Sequence, residues 1–131
     1  MEVKQKLEAK FHGIQLIRNW FLKEGFLDVM TPSIVSCPGI EPHLHPFEVK
    51  GGHYKGFLQT SPEFHMKELL SLGLEKIFTL TYSFRDEPKS ETHRPQFIML
   101  EWYRSNVHYE QIKEDSKSSR LFYLQIETMH L

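Results

Sequence analysis

The sequence holds little of several things that would fix a class at once. Among 131 residues there is one cysteine, Cys37. An internal disulfide is therefore excluded, and the composition fits a reducing cytosol. Sixteen basic residues against seventeen acidic give a net charge of −1, so no polycationic character points to nucleic acid. No apolar run approaches the ~20 residues that span a bilayer, and no membrane partner is expected. The start, Met1-Glu2-Val3-Lys4, lacks a signal-peptide pattern, and a cytoplasmic protein is expected. Seven glycines and seven prolines are too few for a collagen-like or low-complexity chain. What is present is globular: 40% apolar, 13% aromatic and 25% charged residues. The length suits one domain at the usual ~100–200 residues, large enough to bury a core.

Val3, Leu7, Phe11, Ile14, Ile17 and Phe21 recur at three- and four-residue steps, which predicts an amphipathic helix ending at Gly25. Residues 26–30 read as a short strand closed by Thr31-Pro32. The stretch 33–46 is rich in proline and reads as an irregular loop. Brief strands are expected at 47–49 and 57–59 around the Gly51-Gly52 turn. Ser61-Pro62-Glu63 is a helix start: serine caps, proline takes the first helical position, and glutamate suits the positive end of the dipole. That helix is expected to stop at Gly73, with a polar helix near 109–119 and an apolar run of open structure at 121–126.

The most informative stretch is 76–104. Phe78, Leu80, Tyr82 and Phe84 alternate with Ile77, Thr79, Thr81, Ser83, Arg85 and Glu87. After a polar loop at 88–95, Ile98, Leu100 and Trp102 alternate with Phe97, Met99, Glu101 and Tyr103. A hairpin of these strands lays the apolar rows against a helix layer. Its other face gathers Arg85, Glu87, Phe97, Glu101 and Tyr103, an arginine, two carboxylates and two aromatics that are costly to bury without partners.

A planar guanidinium such as Arg85 bonds phosphate oxygens bidentately and stabilises charge developing on phosphorus. Phe97 offers a ring for stacking on a purine. Glu101 with Tyr103 suits an ammonium group, and Glu63 at a helix start suits a second one. These parts point to ATP with an amino-acid-like cation. The plainer alternative is an amphipathic hairpin with a solvated polar face, and the residues alone leave both open.

Phe84-Arg85-Asp86-Glu87, a short loop, then His93-Arg94-Pro95-Gln96-Phe97-Ile98-Met99-Leu100-Glu101-Trp102-Tyr103 resembles motif 2 of the class II aminoacyl-tRNA synthetases. The first helix, the strand and Thr31-Pro32 are similar to motif 1 (about 10–32), with motif 2 at about 78–104. Gln59-Thr60-Ser61-Pro62-Glu63-Phe64-His65-Met66-Lys67 resembles the amino-acid-binding segment of the lysyl branch. Within that branch, Met99-Leu100-Glu101-Trp102-Tyr103 and the lack of an upstream anticodon-binding barrel are closest to the group that attaches β-lysine to elongation factor P. The resemblance covers about residues 10–110, with three ordered motifs.

The resemblance implies an α+β fold, an antiparallel sheet flanked by helices forming a partial class II catalytic domain over 1–131. It implies ATP with Mg2+, lysine or β-lysine as substrate, elongation factor P or tRNA as acceptor, and a homodimer. Arg85 would hold the α-phosphate and stabilise its displacement. Glu87, His93 and Phe97 would hold the nucleotide, Ser61 and Glu63 the α-amino end, and Glu101 and Tyr103 the side-chain ammonium. Two residues depart from the family's His-Asn-Pro-Glu-Phe: Arg94 adds a positive charge and Gln96 removes a negative one. A glycine-rich motif 3 is not found in 105–131, where the only arginine is Arg120. The expected reading is therefore an incomplete lysine-activating ligase; the alternative is a non-catalytic ligand-binding or dimerisation module.

Other clusters have plainer readings. His43, His45, His53 and Cys37 follow no strong zinc spacing, and no metal site is assigned. His65 and Met66 read as packing residues, and Lys4, Lys6 and Lys10 as the solvated face of the first helix.

Overall fold

A computed structural model describes residues 2–39, 43–88, 90–91 and 93–117. The elements in order are α1 (Val3–Lys23), β1 (Leu27–Asp28), β2 (Ile34–Val35), β3 (Glu48–Lys50), β4 (Lys55–Leu58), α2 (Glu63–Ser71), β5 (Lys76–Phe84) and β6 (Gln96–Arg104). A further helix, α3, covers 109–117. The rest of the expected 109–119 helix and the 121–126 run lie outside the described residues. The fold is α+β, and the chain divides into two compact units, 1–28 with 104–131, and 29–103.

In the first unit, α1 buries Gly13, Ile17 and Phe21. The buried stripe is shorter than the sequence period implies, because Val3 and Phe11 are exposed. At the start, the Glu2 backbone N–H donates to Gln5 Oε1 at 3.3 Å, satisfying one of the free donors of the first turn. The end is a Schellman motif. Phe26 N–H bonds Phe21 O at 2.9 Å and Gly25 N–H bonds Leu22 O at 3.0 Å. Gly25 takes φ 85° there, open to glycine without a Cβ penalty. The reversal brings the Phe26 ring edge-on to Phe21, with centroids 4.9 Å apart. Arg18 pairs with Asp28. Arg104 grips Asp115 through Nε to Oδ2 at 2.6 Å and Nη2 to Oδ1 at 3.0 Å. Its guanidinium carbon also lies 4.7 Å from the Phe26 ring centroid.

The second unit carries a three-stranded antiparallel sheet in the order β2-β4-β3. Val35 opposes Phe57, and Val49 opposes Gly56. A Cβ on Gly56 would meet Tyr54 Cε1 at 2.7 Å and the Val35 carbonyl at 2.8 Å, so only glycine fits this crossing. β2 lies inside the stretch expected to be irregular loop, and Cys37 follows it, exposed.

β5 and β6 are neighbours in a second sheet. Their connection is closed by the Arg85 N–H bonding Pro95 O at 3.0 Å. The end of β5 thus meets the start of β6, and eleven residues are too few for a parallel crossover; the pair is an antiparallel hairpin. β5 ends at Phe84, so Arg85 and Glu87 lie in the connection rather than on the strand as the alternation implied.

The two faces of β5 also differ from the expectation. Ile77, Thr79 and Ser83, from the row assigned to the polar face, are buried, whereas Tyr82 from the apolar row is half exposed. Phe78 of the apolar row is fully buried as well, so the middle of β5 is covered on both faces, and further along it Gln59 builds a polar layer. Its Nε2 donates to Tyr82 O at 2.8 Å and to Thr81 Oγ1 at 3.5 Å, and its Oε1 accepts from Thr31 Oγ1 at 3.3 Å. Ser83 Oγ, by contrast, is buried without a hydrogen-bond partner among the described residues. α2 buries Met66, as expected, and ends in a second Schellman motif: Leu74 N–H to Leu69 O at 3.2 Å and Gly73 N–H to Leu70 O at 3.0 Å. Its start lies one residue later than expected, at Glu63, whose N–H donates to Ser61 Oγ at 3.4 Å.

Candidate functional site

Gln59 and Thr60 set the position of the site. The Gln59 carbonyl accepts from Phe84 N–H at 3.0 Å, tying the end of β4 to the end of β5 one residue before Arg85. Thr60 continues this lock: its Oγ1 donates to Pro38 O at 3.0 Å, and its carbonyl accepts from Arg85 Nε at 3.3 Å. The Arg85 guanidinium carbon stands 5.2 Å from the Phe97 ring centroid, within cation–π range. The arginine is thus held by its backbone, its Nε and an aromatic face at once, which fixes where its fork points.

Next to Thr60 lies a cleft of about 230 Å³. Pro38, Leu44 and Pro46 form one wall, and Ser61, Glu63 and Lys67 line the other. The first wall is tethered to the β5–β6 connection, where Asp86 N–H bonds His45 O at 2.7 Å. On α2, Lys67 Nζ donates to Glu63 Oε1 at 2.6 Å. This is the favourable i,i+4 order of acid before base.

Phe97, Glu101 and Tyr103 share the odd-numbered face of β6. Tyr103 donates its phenolic hydrogen to Glu101 Oε2 at 3.2 Å. Burial pushes the Glu101 carboxyl above its ordinary value; the Tyr103 hydrogen bond opposes this, Glu63 adds to it, and Lys67 and Arg85 oppose it. Tyr103 is raised as well, first by burial and then by the charge and hydrogen bond of Glu101. Glu63, Lys67, Arg85, Glu101 and Tyr103 therefore form one electrostatic group.

Glu87 and His93 pair with each other within the connection, with His93 Nε2 4.0 Å from Glu87 Oε2. The His93 ring is oriented from its other side by Ser90, whose Oγ lies 2.8 Å from Nδ1. Among the described residues, no three His, Cys, Asp or Glu side chains converge as a metal site. His65, expected as a packing residue, bonds Glu68 Oε2 through Nδ1 at 2.7 Å and lines a separate cleft with Met30, Pro32 and Leu72.

Three residues of this arrangement carried no role in the sequence reading: Gln59, Thr60 and Lys67. The first two act through a carbonyl and a buried amide, which no side-chain pattern advertises. For Lys67 the signal was available, because it stands four residues after Glu63 on a helix.

Such a group can neutralise a ligand with two ammonium groups at the carboxylates, while the guanidinium and the aromatic ring receive a phosphorylated purine. The family model described as tRNA synthetases class II (D, K and N) matches residues 1–118. The elongation factor P–(R)-β-lysine ligases of Salmonella arizonae, Salmonella paratyphi B and Salmonella heidelberg are each 44% identical over 100 residues, covering 72% of this chain and 30% of theirs. The chain thus spans about 30% of the length of these curated relatives. No helix among the described residues is long and apolar enough to cross a membrane.

Proposed function

Because this chain belongs to the class II tRNA synthetases of the D, K and N group, we propose that it forms the front part of an ATP-dependent lysine-activating ligase. The observation that carries this reading is the half-buried Glu101, hydrogen-bonded to Tyr103 and in the field of Glu63 beside one cleft. A cleft lined by one carboxylate, Glu63, with a second, Glu101, in its electrostatic field suits a diamine acid such as lysine or β-lysine. Glu101 and Tyr103 receive the side-chain ammonium; Ser61 and Glu63 receive the α-amino end. The ligand's carboxylate oxygen attacks the α-phosphorus of ATP, pyrophosphate leaves, and a lysyl adenylate forms. Arg85 binds the α-phosphate and stabilises its developing charge, with Phe97 stacking on the base and Glu87 and His93 holding the nucleotide.

Magnesium fits this scheme only as a counter-ion carried on the phosphates, the usual way it is held at ATP sites, since no protein cage is found among the described residues. The name of the relatives supports elongation factor P as the acceptor, with tRNA as the other acceptor of the lysyl branch. In this reading the hairpin and its neighbours are part of an antiparallel sheet flanked by helices. Motif 1 then covers about 10–32 and motif 2 about 78–104 of a partial catalytic domain, in a cytoplasmic homodimer.

Lysine-dependent ATP–pyrophosphate exchange tests the activity, and calorimetry with ATP and with lysine tests the two ligand sites directly. Binding of both ligands, lost for ATP in Arg85→Met and for lysine in Glu101→Ala, is the expected result. Binding without exchange leaves the chain as a ligand-binding module. No heat from either ligand overturns the reading.

A further inference from the structure

We propose that Lys67 sets the ligand specificity of the cleft by holding the Glu63 carboxylate, so that a ligand's α-ammonium gains that carboxylate only by displacing a tethered ammonium. The inference rests on the lysine-type ligand proposed above and assigns a role to a residue outside that scheme.

Three observations carry it. Lys67 Nζ donates to Glu63 Oε1 at 2.6 Å, the distance of a full charge-assisted hydrogen bond. Both side chains line the same cleft as Ser61, where they remain open to solvent. Lys67 also interacts electrostatically with Glu101, so its charge bears, more weakly, on the second carboxylate assigned to the ligand.

The chemistry of a lysyl side chain makes the competition direct. Its ε-ammonium is the same group that a diamine ligand presents, held on a flexible four-carbon stem. Glu63, Glu101 and Lys67 together carry a formal charge of −1, which matches the +1 of lysine or β-lysine. A neutral amino acid brings no such complement. A ligand without an α-ammonium leaves the Glu63–Lys67 pair intact. One that carries it must detach Lys67 and then tolerate a second cation nearby. The residue is thus a filter: it lowers the affinity gained at Glu63 so that binding depends on the ammonium at Glu101.

Calorimetry on this chain with lysine and with 6-aminohexanoate, which lacks the α-amino group, reads the effect. Removing one charge about 4 Å from the ligand ammonium in a wet cleft changes affinity by about fivefold. Lys67→Met should tighten lysine by about that factor and 6-aminohexanoate by distinctly less, while Lys67→Arg keeps wild-type values for both. Lysine bound equally or more weakly by Lys67→Met overturns the inference and leaves the ligand assignment standing. Equal gains for both ligands also overturn it, since a general charge effect suffices. Lysine bound by neither wild type nor variant overturns the ligand reading and this inference with it.

Discussion

Tyr103 and Glu101, two residues apart on one face of β6, share a hydrogen bond of 3.2 Å in which the phenol donates to the carboxylate. The bond stabilises the ionised carboxylate while partial burial opposes it, and burial prevails. The ionised carboxylate that recognises an ammonium is therefore kept at some cost to folding.

The cost has a pH signature. A carboxyl whose folded value lies above its ordinary 4.5 favours folding fully below that value. The advantage is lost as pH rises through the raised folded value. Glu101→Gln keeps an oxygen for Tyr103 and removes the charge. It should stabilise the fold at pH 7 and so raise the thermal midpoint, the gain in stability being less than about 1 kcal/mol because the group is partly solvated and screened. Near pH 3, where both forms are neutral, the difference should vanish. Thermal melts of the two proteins at both pH values check this, and the same variant should bind lysine more weakly.

Arg104 and Asp115 make the most buried ion pair described, with side chains 12% and 3% exposed. Asp115→Ala leaves a guanidinium held in place without its carboxylate, and such losses cost about 3–5 kcal/mol. The double variant Arg104→Met, Asp115→Leu removes both charges and should recover most of that loss. Urea unfolding of the single and double variants measures the difference. A double variant as weak as the single one would assign the loss to packing rather than charge.

Gln59 is tested by an isosteric change. In Gln59→Glu the Nε2 that donates to Tyr82 O becomes an acceptor facing an acceptor. The expected loss is at least about 2 kcal/mol at pH 7, the cost of leaving buried polar groups unpaired. A protonated glutamic acid can restore one donor, so the deficit relative to wild type should shrink at pH 4.5. Denaturation at the two pH values reads it.

How far the sequence revealed this arrangement depended on whether each cause was local. Both Schellman ends were legible because Gly25 and Gly73 stand where only a left-handed residue closes the helix. The alternation of 97–103 placed Phe97, Glu101 and Tyr103 on one face of β6. β2 was not legible: Ile34–Val35 is a strand only through pairing with β4, more than twenty residues away, and prolines surround it. The buried face of β5 was misjudged for the same reason. Thr79 and Ser83 look solvent-facing until the tertiary fold covers both faces of the strand, which the local pattern does not contain. Lys67 shows a third case, visible in the spacing but without meaning until the cleft gave its pair a setting.

Cys37 gives the scarcity of thiols a practical consequence. It is exposed and precedes Pro38, whose carbonyl is held by Thr60 and whose ring helps wall the cleft. A thiol-directed fluorophore would attach at this one position without any engineered cysteine. The label would sit one residue from the wall that a ligand touches, and occupancy of the cleft would become an optical signal in the unaltered sequence.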